Sequence, residues 1–229
     1  MSSDEPAPGA AIIFDLDGTL ADSELAHERA LRAAAESRGM TFTHDWFRAN
    51  CVGVGERGCF RMLATIHGAP MTDEMLSELV AIKLGRFLEA VEDGGVPAYP
   101  GAAELVAAVA AEVPVGVCSG SSRESVEPVL ARMGISGLLR AVVTSGDVKR
   151  PKPAPEAYLL AARRLGAPPG RCVAIEDSPT GIASARSAGV SVAAVEHSFP
   201  RDRLARADAV APTIAALSPA GLLALARRG

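Results

Sequence analysis

At 229 residues, 48% hydrophobic and 22% charged, the chain has the make-up of an ordinary globular protein, with room for one large domain or a domain carrying a smaller insert. A formal net charge of −4 supplies no overall positive field, which argues against nucleic acid or an anionic membrane surface as partner. The four cysteines, Cys51, Cys59, Cys118 and Cys172, include no close Cys-x-x-Cys pair, so free buried thiols are expected rather than disulfides or zinc.

The opening residues, MSSDEPAPGAA, are acidic and proline-rich, without the basic start and apolar run of a secretion signal, and the expected location is the cytoplasm. The first predicted strand, Ala10–Leu16, runs four apolar residues straight into Asp15 and Asp17. Side chains two apart share one face of an extended strand, so the two carboxylates aim together with Cα atoms roughly 6–7 Å apart. Gly18 then permits a tight turn, and the carboxyl end of a parallel strand is where open α/β sheets bind ligands.

The segment from 22 to 96 is helical by pattern (Leu25–Arg38, Cys59–His67, Asp73–Val91) with no convincing strand, and Gly94-Gly95-Val96-Pro97 reads as its return. The expected organisation is therefore a core of residues 1–21 and 97–229 with an all-helical domain, 22–96, inserted after the first strand. Gly53-Val54-Gly55-Glu56-Arg57-Gly58 matches G-x-G-x-x-G, but the motif has force only between a strand and a helix. Inside a helical insert it reads as a turn entering a helix.

Beyond the insert, predicted strands at Val113–Ser119, Ala141–Ser145, Arg171–Asp177, Ser191–Val195 and, more weakly, Asp208–Ala211 alternate with alanine-rich helices at Ala102–Ala111, Ser122–Met133, Pro155–Leu165 and Pro179–Ala188. Continuous apolar strands spaced by helices imply an α/β fold, a parallel sheet covered on both faces. The most apolar long stretch, Ala102 to Cys118, is interrupted by Glu104, Glu112 and Pro114 and does not read as membrane-spanning.

Three further strand ends carry polar clusters. In Cys118-Ser119-Gly120-Ser121-Ser122-Arg123, a hydroxyl-rich loop enters a helix start, which favours anions; Ser121 with Glu124 fits a capping box, leaving Ser119 the functional role. Lys152, with a proline on each side, is a cation held to one direction, whereas Lys149 and Arg150 read as surface charge. In Ile175-Glu176-Asp177-Ser178-Pro179, Ser178 and Pro179 begin a helix, while Glu176 and Asp177 arrive at the same sheet edge as Asp15 and Asp17. Carboxylates gathered that closely demand a cation, and all-oxygen ligation points to Mg²⁺.

In order and spacing, FDLDGTLADSE, CSGSS, KPAPEAY and IEDSPTGIASARSAG resemble the four motifs of the haloacid dehalogenase-like superfamily of phosphotransferases, over nearly the whole chain. The insert resembles the small helical cap of the branch that contains β-phosphoglucomutase and many sugar-phosphate phosphatases. The resemblance implies a Rossmann-like core in which Asp15 attacks phosphorus to form an aspartyl-phosphate, and Asp17 protonates the leaving oxygen and later deprotonates water. Ser119 and Lys152 would hold the phosphoryl oxygens, and Mg²⁺ would be bound by Asp15, the main-chain carbonyl of Asp17 and Asp177, with Glu176 near or in its shell.

Gly120 is expected beside the substrate, as is His27, unless that histidine is merely a surface or core residue. Arg123 reads either as a contact to a distal phosphate or as a solvated helix-start arginine. The chain departs from the family pattern at Pro151 and Glu156, which flank the lysine motif. It departs also at Glu56, where the β-phosphoglucomutase pattern places an arginine, with Arg57 as the neighbouring substitute.

The expected function is a Mg²⁺-dependent phosphatase acting on a small phosphorylated metabolite, a sugar or polyol phosphate, with a β-phosphoglucomutase-type phosphomutase as the alternative. Asp17 and Asp177 speak against dehalogenation. Phosphonate cleavage needs a cap lysine forming a Schiff base, and the cap loop has none, Lys83 lying in a later helix. Neither nucleic acid nor membrane is expected as partner.

Overall fold

A computed structural model describes residues 9–52 and 54–227; the acidic opening residues 1–8 and Gly53 of the G-x-G-x-x-G match lie outside the described residues. Six strands, β1 (Ala11–Phe14), β2 (Val115–Cys118), β3 (Ala141–Val143), β4 (Cys172–Glu176), β5 (Ser191–Val195) and β6 (Ala209–Ala211), form one sheet in the order β3-β2-β1-β4-β5-β6. Every pairing is parallel. All six predicted strands are present, β5 at its predicted length and the other five one to three residues shorter, because polar residues and a proline at their ends stay out of the ladder.

Between β1 and β2 run α1 (Glu24–Glu36), α2 (His44–Asn50), α3 (Glu56–Ile66) and α4 (Asp73–Glu92). They enclose an apolar cluster of their own, including Leu31, Phe47, Phe60, Leu63, Leu76 and Leu79. The chain leaves and re-enters the sheet region side by side: the Asp22 amide donates to the Pro97 carbonyl and the Tyr99 amide to that of Leu20, each at 2.9 Å. The seven-residue α2 carries no sequence signal because two turns are too short to show a helical period. Its start is set by Thr43, whose hydroxyl accepts the Trp46 amide at 3.1 Å.

The remaining helices are α5 (Ala102–Ala110), α6 (Arg123–Arg132), α7 (Glu156–Leu165), α8 (Pro179–Ser187) and α9 (Pro219–Ala226). Strand alternation divides the interior into two layers. Ile12, Phe14, Val115, Val117, Val173 and Ile175 face α5, α6 and α9, whereas Ile13, Cys118, Val143, Ala174 and Val192 face α7 and α8. The fold is thus a Rossmann-like α/β sandwich, its central strands β1, β2 and β4 buried on both faces and therefore largely apolar. Helix α9 is absent from the sequence reading because PAGLLALA is apolar all round and shows no amphipathic stripe. All four cysteines are free and buried, and no helix among the described residues is long and apolar enough to cross a membrane.

Candidate active site

Successive strands run from β1 outward to β3, then the chain crosses back to β4 on the other side of β1. That reversal opens a crevice at the carboxyl ends of β1 and β4. Asp15 extends the β1–β4 pairing by one residue, its amide donating to the Ile175 carbonyl at 2.9 Å. The chain then folds sharply, with the amides of Leu20 and Ala21 both returning to the Leu16 carbonyl. Gly18 has φ +79°, and a Cβ there would lie 2.1 Å from Asp177 Oδ2 and 2.5 Å from Ser198 Oγ. Only glycine lets the two catalytic-edge loops approach this closely.

Asp15, Glu176 and Asp177 are buried, and each offers a carboxylate oxygen within 4.8 Å of the others. Lys152 reaches into this group from the loop before α7. Its Nζ donates to Asp15 Oδ1 at 2.7 Å, Glu176 Oε1 at 2.6 Å and the Cys118 carbonyl at 3.0 Å. Burial alone would push the Lys152 ammonium down, but Asp15 and Glu176 outweigh it and hold the group charged. The fully buried Tyr158 hydroxyl adds a second donor to Glu176 Oε1 at 2.6 Å.

One lysine does not balance three acids. Burial raises the Asp15 carboxyl well above its ordinary value despite Lys152, with Glu176, Asp177 and Asp17 adding to the rise. Burial, then Glu176, lifts Asp177 to about 7. Unrelieved repulsion among hard oxygen donors at one point fits a divalent cation, and Asp15 and Asp177 are the carboxylates placed to hold it. Glu176 sits beside them, committed to Lys152, Tyr158 and, at 3.2 Å, Ser178 Oγ. A Cβ at position 181 would fall about 2 Å from its carboxylate, so Gly181 makes room for that acid under the start of α8.

Asp17 faces another way. Its Oδ1 accepts from Ser23 Oγ at 2.7 Å and pairs with His27 Nε2 at 3.0 Å; its Oδ2 accepts from Ser119 Oγ at 3.1 Å and Ser121 Oγ at 2.8 Å. Burial would raise this carboxyl, but His27, with the Ser23 and Ser121 hydroxyls, brings it well below the usual carboxylate range. His27 Nδ1 lies 3.0 Å from Lys83 Nζ. An ammonium only donates, so Nδ1 is the acceptor in that contact and Nε2 is the nitrogen turned to Asp17. The imidazole is stacked on Phe87 at 4.1 Å between centroids, and Lys83 in turn pairs with Glu56 Oε2 at 3.0 Å.

These groups border a cleft of about 630 Å³ between the inserted helices and the sheet edge, lined among others by Asp15, Asp17, His27, Gly120, Lys152 and Asp177. Ser119 and Glu176 stand just behind its wall. Lys149 and Arg150 are exposed, Lys149 at the border of the cleft, and their amides are both held by Glu156 at 2.9 and 3.1 Å. The departure at Glu156 is therefore a clasp that fixes the loop carrying Lys152.

Two expectations are corrected. Arg123 makes no approach to the cleft, because its guanidinium is taken by Asp147 at 2.8 Å and Glu127 at 3.1 Å. Ser121 is not a cap: the N-cap of α6 is Ser122, one residue later, which leaves the Ser121 side chain free to turn onto Asp17. Ser23, Tyr158 and Lys83 are further members of the site that were not singled out: Ser23 and Tyr158 lie inside FDLDGTLADSE and KPAPEAY, and Lys83 is a charge on the Leu76, Leu79, Lys83, Phe87 stripe that α4 buries.

A family model described as haloacid dehalogenase-like hydrolase matches residues 10–189. The chain is 32% identical over 217 residues to protein CbbY of Rhodobacter capsulatus, covering 90% of this chain and 94% of that one. It is 35% identical over 211 residues to hexitol phosphatase A of Escherichia coli strain K12, covering 86% and 88%. Among solved structures, a variant of CbbY from Rhodobacter sphaeroides, in complex with xylulose-(1,5)bisphosphate, superposes with a TM-score of 0.85 at 27% identity, covering 93% of this chain and 98% of that one.

Proposed function

The chain belongs to the haloacid dehalogenase-like hydrolases, and from that membership we propose that it is a Mg²⁺-dependent phosphatase of sugar or polyol phosphates working through an aspartyl-phosphate. The observation that carries the reading is the placement of Asp15. Its carboxylate lies on the floor of the cleft, 2.7 Å from Lys152 Nζ and grouped with Asp177, while Asp17 presents a separate carboxylate on the cap side. Nucleophile and proton carrier are thus side by side but in different electrostatic surroundings. The phosphatase and CbbY relatives support the substrate class.

In this scheme an Asp15 oxygen attacks phosphorus, the bond to the ester oxygen breaks, and that oxygen leaves as an alcohol with a proton from Asp17. The Asp17 carboxyl is held ionised in the resting site. An arriving phosphate lies against the same Ser119 and Ser121 hydroxyls, and a second negative charge there drives Asp17 to take up the proton it delivers. In the return step Asp17 accepts a proton from water as the water oxygen attacks the acyl-phosphate phosphorus. Inorganic phosphate leaves, and both carboxyls are restored. Lys152 and Ser119 hold phosphoryl oxygens and offset their charge. Asp15, Asp177 and the main-chain carbonyl of Asp17 would hold Mg²⁺, which when bound neutralises charge on the carboxylates and the phosphoryl group.

The inserted helices, 22–96, act as the cap that excludes bulk water. Asp15→Asn removes the attacking oxygen anion at almost no change in shape. Turnover of p-nitrophenyl phosphate should fall to background while circular dichroism and thermal midpoint stay near wild type; retained turnover overturns the assignment.

A further inference from the structure

We infer that the loop after β5 is a further wall of the site, in which Ser198 positions the carboxylate of Asp177 for the metal and Arg48 of the inserted helices holds Ser198 in place. The inference rests on the phosphatase reading above and deepens it. The end of β5, Glu196-His197-Ser198-Phe199, matches none of the four motifs, yet it reaches the same crevice, with Ser198 on the border of the cleft. The loop is tied down at three places. His197 Nδ1 donates to the Gly18 carbonyl at 2.9 Å, and its Nε2 accepts the Ile214 amide at 3.2 Å. A carbonyl only accepts and an amide only donates, so the neutral ring carries its proton on Nδ1. Tyr99, where the chain returns from the insert, stacks on the same ring at 3.8 Å between centroids. The third tie comes from the inserted helices. Arg48 of α2 donates through Nη2 to the Ser198 carbonyl at 2.8 Å and through Nη1 to Glu24 Oε1 at 2.6 Å.

Glu24 and Ser198 both border the cleft and also a second cavity, of about 380 Å³, beside it. The two arms of one guanidinium therefore fasten the wall between these spaces. On its other side Ser198 meets the metal site. Its Oγ and Asp177 Oδ2 close together over Gly18, where no Cβ fits, and the hydroxyl donates to the Asp177 carboxylate against the rise that burial and Glu176 impose. A hydroxyl has one proton to give. Given to Asp177, it fixes how that carboxylate turns and leaves the remaining lone pairs for a cation. Ser198 keeps that direction only while its main chain is held, and Arg48 supplies the hold from the insert. Closing the cleft and completing the metal site thereby become one event.

The test is the dissociation constant of Mg²⁺ for the full chain, read from how the thermal midpoint of chelator-stripped protein rises with Mg²⁺ concentration at pH 8. Ser198→Ala should weaken Mg²⁺ binding about tenfold. Arg48→Met, made at a half-exposed side chain outside the carboxylate group, should weaken it about threefold or more. Loss of a positive charge would by itself favour a cation, so a weaker constant carries the sign of lost positioning alone. Because Arg48 acts through Ser198, the double variant should bind no more weakly than Ser198→Ala. A purely structural role would lower the metal-free midpoint and leave the constant where it was. A constant unmoved by either substitution, or losses that multiply in the double variant, overturns the inference; should Ser198→Ala fail to fold, Arg48→Met decides it. Wild-type protein that neither responds to Mg²⁺ nor hydrolyses p-nitrophenyl phosphate overturns the phosphatase reading as well.

Discussion

Asp15 and Asp17 stand two residues apart and end in opposite electrostatic states. Asp15 is pressed among other acids and held up; Asp17 is surrounded by Ser23, His27, Ser119 and Ser121 and held down. The division follows from which elements each carboxylate meets once β1 ends, and in the proposed mechanism it separates attack from proton transfer. Ser121→Ala removes one of four donors to Asp17, and its carboxyl should rise toward the ordinary value. Asp17 delivers its proton in the step that kcat/KM reports, so the alkaline limb of the pH dependence should then move to higher pH, with a loss of about tenfold at the optimum, measured across pH 4 to 9. Much of this was legible in sequence: two acids two apart at a strand end, a proline-flanked lysine and a second acid pair. Ser23, Ser121 and Tyr158 were not singled out for the site although they lie inside FDLDGTLADSE, CSGSS and KPAPEAY, because a hydroxyl at a turn or helix start looks the same whether it caps, meets solvent or binds a carboxylate.

At the level of elements, the loop after β3 is tied together by Asp147. Its carboxylate accepts from the Thr144 amide at 2.9 Å and hydroxyl at 2.8 Å, from Arg123 of α6 and from Arg164 of α7, each at 2.8 Å. One side chain therefore joins two helices to the edge of the sheet. Burial would raise that carboxyl, but Arg164 and Thr144 bring it well below the usual range. A depressed carboxylate stabilises the fold fully above its unfolded value of about 4 and loses that contribution as pH falls further. Asp147→Ala should cost about 2 kcal/mol at pH 7, an amount expected of charged hydrogen bonds left unmade. In urea unfolding the gap between wild type and variant should shrink from pH 6 to pH 3. The helices joined here were legible from apolar periodicity; the tie was not, since Arg123 at the start of a helix looks the same whether it meets solvent, substrate or Asp147.

For the whole molecule, the parallel sheet was readable because its central strands are apolar on both faces, and the two missed helices, α2 and α9, lack any periodic face to read. The same burial that makes the fold legible sets how its stability should respond to pH and to the proposed metal. Asp15 and Asp177 are held above their unfolded values, Asp177 at about 7. Between about pH 4 and 7 the metal-free folded chain holds more protons than the unfolded one, so its stability falls as pH rises through that window. In EDTA the thermal midpoint should drop from pH 5 to pH 8; millimolar Mg²⁺ should restore it strongly at pH 8, weakly at pH 5, and return activity with it.

The four thiols are also unevenly distributed. Cys51 and Cys59 border the cleft, whereas Cys118 and Cys172 are shut into the sheet. A maleimide dye should therefore read two clocks in one molecule: an early pair of additions timed by opening of the inserted helices' own core, where Cys51 and Cys59 are buried, and a late pair timed by global unfolding. Opening of the insert can be followed in the native chain, with no label engineered into it.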